Sequence, residues 1–157
     1  MAQKITPFLW FDGNAEEAAH YYVSIFKNSK ITDIVRYTGA EPGPKGTVMT
    51  IGFELDGQAF TGINGGPLFK FTEAVSFAVR CTDQAEIDAM WEKLSAGGEK
   101  GPCGWLKDKF GLSWQVVPDF LIDTLTEGDI EKSARVMAAV MKMGKLDITA
   151  LKAAAAG

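Results

Sequence analysis

Apolar and polar positions in this chain follow two rhythms, and those rhythms come in the same order twice. Ile5–Phe11 is a short run of aromatic and β-branched residues and predicts a strand, with Pro7 confining part of it to an edge or a bulge. Asp12-Gly13 is a turn. Asn14 stands where a helix cap belongs, with Glu17 three residues on. Ala15, Ala18, Ala19, Tyr22, Ile25 and Phe26 then fall at helical spacing on one face, and the pattern stops near Lys27-Asn28. Three short strands are predicted next, Ile31–Tyr37, Thr47–Leu55 and Gln58–Ile63. The first two are separated by the Gly/Pro-rich stretch Gly39–Gly46. The last two are joined by Asp56-Gly57, the strongest hairpin signal in the chain.

The order then repeats. Ala74–Cys81 predicts a strand, Asp83 a cap with Glu86 three residues later, and Ile87, Met90, Trp91 and Leu94 a helix that stops at Gly97-Gly98. Strands are expected at Cys103–Lys107 and Leu112–Val117, with a weaker one at Glu99–Gly101. An offset of 70 aligns Ala15/Ala85, Glu16/Glu86, Ala19/Ala89 and Tyr21/Trp91. An offset of 54 aligns Gly57/Gly111, Phe60/Trp114 and Ile63/Val117. Together they predict a duplicated βαβββ unit in an α+β fold, with modules at 1–66 and 70–118 of a single domain. A helical tail follows over 119–157. Phe120, Leu121 and Leu125 are apolar, Gly128-Asp129 breaks the helix, and Ile130, Ala134, Met137 and Met141 resume it. Asp147–Ala156 is a further Ala-rich helix, and Ala153–Gly157 is expected to fray.

With 157 residues the chain can bury a sizeable core. Sixteen Lys+Arg against twenty Asp+Glu give a net charge of −4, which argues against a nucleic-acid partner. No apolar run is long enough to span a membrane, and Met1–Phe11 lacks the pattern of a secretory leader, so a cytoplasmic protein is expected. Cys81 and Cys103 make no disulfide framework and are expected to be thiols. The single histidine, His20, excludes any site built from two.

Three stretches carry a family resemblance: Phe11-Asp-Gly-Asn-Ala-Glu-Glu-Ala18, Asn64-Gly-Gly-Pro67 and the sixteen residues from Cys103 through Trp105, Asp108, Trp114 and Gln115 to Pro118. They resemble the PhnB-like proteins, labelled 3-demethylubiquinone-9 3-methyltransferase domains, of the vicinal oxygen chelate superfamily, with glyoxalase I, bleomycin-resistance proteins and extradiol dioxygenases. The resemblance covers nearly the whole chain, Met141–Leu151 of the tail included. It implies paired βαβββ modules forming a cup-shaped mixed sheet, usually in a homodimer. It does not fix an activity.

Metal-dependent relatives hold a divalent ion with His, Gln or Glu side chains from the first and last strand of each module. Carried onto this sequence, the first strands offer Ile5, Thr6 and Pro7, and Ala74, Val75 and Ser76. The last strands offer Thr61 and Gln115. One amide among hydroxyls and apolar groups does not grip a divalent ion, so neither metal nor other cofactor is expected. The methyltransferase label implies a glycine-rich strand-to-helix turn for an adenosyl donor; Gly65-Gly66-Pro67 follows a strand but opens no helical pattern.

The expected ligand is a small, partly aromatic molecule. Phe8 and Trp10 share one face of the first strand and, with Trp105 and Trp114, could stack it. Asn64, Gln115 and Thr61 could orient it, Asp108 could bind a ligand amine or its own loop, and Cys103 is a weak nucleophile candidate beside Lys100 and Lys107. Core packing is the competing role for about half of the aromatics and for both cysteines; His20 and the tail lysines suit a solvated surface. A metal-dependent glyoxalase- or dioxygenase-like enzyme and a drug-sequestering resistance protein are the alternative functions.

Overall fold

The computed structural model describes residues 3–157; Met1 and Ala2, the start of the Met1–Phe11 stretch expected to hold no secretory leader, lie outside the described residues. The chain divides into two compact units, one ending at Lys70 and one spanning Phe71–Gly157.

In the first unit, strand β1 (Phe8–Phe11) leads into helix α1 (Ala15–Ile25), followed by β2 (Lys30–Arg36), β3 (Val48–Leu55) and β4 (Gln58–Asn64). Sheet order is β1-β4-β3-β2, with β1 parallel to β4 and the other pairs antiparallel. Pro7 delays the strand start predicted at Ile5, and β1 is an edge, as a proline there requires. Asp56 and Gly57 both take positive φ, 48° and 83°, the I′ geometry that the hairpin needs. Ala15, Ala18, Ala19, Tyr22 and Ile25 of α1 are buried, as are Phe11, Ile51, Phe53 and Phe60 of the sheet. Phe53 stacks on Phe60 with ring centroids 5.5 Å apart.

The second unit repeats this plan. It runs β5 (Ser76–Cys81), α2 (Gln84–Ser95), β6 (Glu99–Lys100), β7 (Trp105–Lys107) and β8 (Ser113–Pro118), in sheet order β5-β8-β7-β6. The Asp83 carboxylate caps α2 by accepting from Glu86 N–H at 2.9 Å. The strand registers agree with both sequence offsets. Phe11 pairs with Asn64, and Cys81, 70 residues on from Phe11, pairs with Pro118, 54 on from Asn64.

The tail forms α3 (Asp119–Thr126), α4 (Ile130–Val140) and α5 (Ile148–Ala156). Val117, Leu121, Val136, Val140, Leu146 and Leu151 build its core, with Cys103 and Met143 against it. Over the stretch Ala153–Gly157, where fraying is expected, α5 runs to Ala156, and its last carbonyls have partners: Ala154 O accepts from Gly157 N–H at 3.3 Å and from Arg135 at 3.2 Å, and Ala155 O accepts from Arg135 at 2.8 Å. Among the described residues no helix is long and apolar enough to cross a membrane.

Candidate functional site

Each helix covers one face of its sheet, and strand alternation sends every second side chain to the other face. In the first unit Leu9 and Phe11 are buried, whereas Phe8 is 62% exposed and Trp10 is half-buried. Thr61 and Ile63 pair with Phe8 and Trp10 in register and share that face. Trp10 is held in place: its indole Nε1 donates to Gly66 O at 2.9 Å, and Phe69 meets it edge to face at 4.9 Å. Gly65 makes this possible, since a Cβ there would lie 2.2 Å from the indole.

Asn64 sits one residue out of phase with that face. Its Oδ1 accepts from Ala15 N–H at 2.9 Å and its Nδ2 donates to Val48 O at 3.1 Å. Tyr37 O–H donates to its backbone carbonyl. Asn64 therefore supplies the helix cap predicted from Asn14, whose own side chain makes no cap bond. Both ends of the amide serve the fold, which corrects its role as a ligand-orienting group.

In the second unit Gln115 lies on the uncovered face and its Nε2 donates to Ser76 Oγ at 2.9 Å. Trp105 is its cross-strand partner on β7 and is half-buried. Trp114, of opposite parity, is 3% exposed and tilts against Phe77 on the helix side. Its Nε1 donates to Asp108 Oδ2 at 2.9 Å. Asp108 Oδ1 accepts from Phe110 N–H at 2.8 Å and Leu112 N–H at 3.1 Å. Asp108, 2% exposed, thus organises the turn between β7 and β8, and both residues leave the ligand set.

Cys103 occupies a tight turn, at φ 61° beside Gly104 at 83°. Its N–H donates to Met143 O and that of Gly104 to Gly144 O, both at 2.8 Å, and its Sγ rests 3.7 Å from Met141 Sδ. The turn is anchored to the tail, and Cys103 packs on the tail core rather than beside Gln115. Cys81 is fully buried, and burial, with the nearby Glu86 charge, pushes its thiol up to about 12. A raised thiol pKa favours folding below the ordinary thiol value of about 8.5, and the advantage is lost as pH rises toward 12. In the folded protein at pH 8, Ellman's reagent should modify Cys103 while Cys81 reacts only on unfolding. Equal rates would contradict the burial of Cys81.

The metal-ligating positions do not fit an ion. Thr61 neighbours Phe8, Gln115 neighbours Ala78, and the Gln115 amide is engaged with a serine hydroxyl. Among the described residues no three His, Cys, Asp or Glu side chains form a cluster able to hold a metal. A hydroxyl and an amide without carboxylate or imidazole cannot replace a divalent ion's water shell.

Beyond these residues the uncovered face carries a group that sequence reasoning missed. Lys107 and Ser113 share the parity of Trp105 and Gln115, a signal readable by applying alternation to β7 and β8 together. Lys107 ion-pairs with Glu73. That bond holds the Glu73 carboxyl below its usual range and raises the Lys107 ammonium. With Glu99, Trp105 and Ser113 they line a cleft of about 320 Å³.

Two βαβββ units of one strand order, each with a helix on one sheet face, define the vicinal oxygen chelate fold. Residues 3–117 match the model of the family described as 3-demethylubiquinone-9 3-methyltransferase. The chain belongs to this PhnB-like family of the vicinal oxygen chelate superfamily. It is 41% identical to a PhnB protein of Bacillus cereus carrying the same methyltransferase description, over 74% of this chain and 99% of that one, with a TM-score of 0.66. PA1353 of Pseudomonas aeruginosa (20% identity, 75% and 100% covered, TM-score 0.60) and the fosfomycin resistance protein FosX of Listeria monocytogenes (15%, 80% and 98%, 0.56) share the fold. No protein of curated function matches the sequence. The family match ends at Val117, so the tail, included above in the resemblance, falls outside it.

Proposed function

We propose that this protein binds a small, partly aromatic molecule on the uncovered sheet faces of its βαβββ units, without a metal ion, as a cytoplasmic homodimer. The observation that carries this reading is the pair of Gln115 and Trp105, cross-strand neighbours on the face that α2 leaves open. Ser76 occupies the Gln115 Nε2, so Oε1 is the atom left to accept a hydrogen bond while the indole stacks on a ring. Phe8, Trp10 and Thr61 offer the corresponding surface in the first unit, and apolar Ile5, Leu68 and Phe69, exposed like Phe8, suit a subunit contact. Methyl transfer from an adenosyl donor is not supported. The strand-to-helix turns hold one glycine, Gly13, and none between Cys81 and Gln84, short of the glycine-rich turn that seats such a donor.

The test is a fragment library screened by NMR against the full chain. Hits should perturb the Trp105 indole, and Gln115→Ala should weaken them by about 1–3 kcal/mol with the fold intact. Asn64→Ala should instead lower stability. Hits confined to other surfaces, or unchanged affinity in Gln115→Ala, would overturn the reading. So would a stoichiometric metal ion in the purified protein.

A further inference from the structure

The cleft beside Trp105 already holds an ammonium group. Lys107 Nζ ion-pairs with Glu73, while Glu99 is the cross-strand partner of Lys107 on β6. Two carboxylates therefore flank one lysine. The other lysine of the cleft, Lys100, is engaged by Glu92 at 2.8 Å, so the cleft is left with one surplus negative charge. Ser113 adds a second, independent observation. It lines the cleft, is fully buried, and its Oγ has no hydrogen-bond partner. A buried hydroxyl without a partner is unfavourable, and native folds keep few of them. Lys107 and Ser76 are the neighbours of Ser113 on either side in the sheet, and Glu73 lies just before β5. The Lys107–Glu73 pair therefore spans the strand at Ser113. Both partners are substantially exposed, and such a pair parts at little cost.

We propose that this cleft is a site for a small aryl-alkyl amine whose ammonium replaces that of Lys107 between Glu73 and Glu99, donates to Ser113 Oγ, and places its ring on Trp105. The spacing suits that ligand. Trp105 lies two residues from Lys107 on the same face, diagonal to Glu99 with the backbones about 7–8 Å apart, so an ammonium and a ring joined by a short linker can reach both side chains. The indole offers the ring a face or edge to pack on, and 320 Å³ matches a small ligand. This assignment rests on the proposed use of the uncovered face and names the ligand class for its Trp105 end.

Three probes with one body test it: 2-phenylethylamine, 2-phenylethanol and 3-phenylpropionate, titrated against the full chain and read at the Trp105 indole N–H signal, assigned with Trp105→Phe. The amine should bind about ten-fold tighter than the carboxylate. Glu99→Gln should weaken the amine about three- to ten-fold and leave the alcohol unchanged. Lys107→Met, which removes the internal competitor, should strengthen the amine about three- to ten-fold. Ser113→Ala should weaken the amine while raising the melting temperature of the free protein. Carboxylate binding equal to amine binding, or weaker amine binding in Lys107→Met, overturns the assignment. If library fragments perturb Trp105 while the three probes show no charge preference, the amine class falls and the sheet-face reading stands. If nothing perturbs Trp105, both fall.

Discussion

Alanine in place of Asp108 should lower the unfolding free energy by about 3–5 kcal/mol. Three donors converge on this carboxylate: the N–H groups of Phe110 and Leu112, and the indole of Trp114. At 2% exposure, water cannot take over those bonds. Each donor stranded in the interior costs about 1–3 kcal/mol, and local relaxation recovers part of the sum. The turn itself is also at stake, because Asp108 N–H donates to Leu112 O and Gly111 N–H to Asp108 O, both at 2.9 Å. Asp108→Asn separates charge from shape. One amide oxygen can still accept, but the NH₂ group faces a donor, so a smaller loss of about 1–3 kcal/mol is expected. Urea unfolding followed by fluorescence reads both variants, with the midpoint falling in the order wild type, Asp108→Asn, Asp108→Ala. An alanine variant within 1 kcal/mol of wild type would show that the carboxylate does not hold the turn.

The duplication was legible because repetition is recorded at each level. The registers that close the sheets, Phe11 with Asn64 and Cys81 with Pro118, satisfy both offsets, and hairpin glycines and strand aromatics recur at 54. The helices are one residue out of step with the offset of 70, because Ala15 and Ala19 are buried where Ala85 and Ala89 are exposed, and their buried faces correspond as Ala18 with Ile87, Tyr22 with Trp91 and Ile25 with Leu94. Alternation likewise placed Phe8 and Trp10 on one face. The site was less legible for a physical reason. Asn, Asp, Trp and Cys serve folds and ligands with the same atoms, and only three-dimensional neighbours decide which. Asn64 caps a helix 49 residues away in sequence, and Asp108 binds an indole on the next strand. Neither partner is visible from spacing alone. Ser113 and Glu99 went unnoticed for the converse reason. Serine and glutamate are common surface residues, and their interest arises from burial in one case and from a cross-strand lysine in the other.

The tail, a segment outside the family match, packs against the turn that leads into β7. Leu146→Ala should cost about 3–4 kcal/mol, since Leu146 is fully buried and truncation leaves a cavity among Val136, Val140 and Leu151. The cavity would open beneath the turn that starts β7. A Cβ on Gly104 would meet Leu146 at 3.2 Å, so the leucine lies directly against that turn's backbone, and the carbonyls of Met143 and Gly144 just before it receive the N–H groups of Cys103 and Gly104. Two readouts should therefore move together. Stability falls, and Cys103 reacts faster with Ellman's reagent, because the contacts that pin its turn loosen. Trp105 begins at that same turn, so ligand affinity at the uncovered face should fall with them. Ile130→Ala provides the contrast: Ile130 is 82% exposed on the same tail, and its truncation should stay within about 0.5 kcal/mol of wild type and leave Cys103 unchanged. If Leu146→Ala lowers stability without altering Cys103 reactivity, the tail is a separate core that steadies nothing beyond itself; if both variants leave stability untouched, the tail does not hold the second unit together at all.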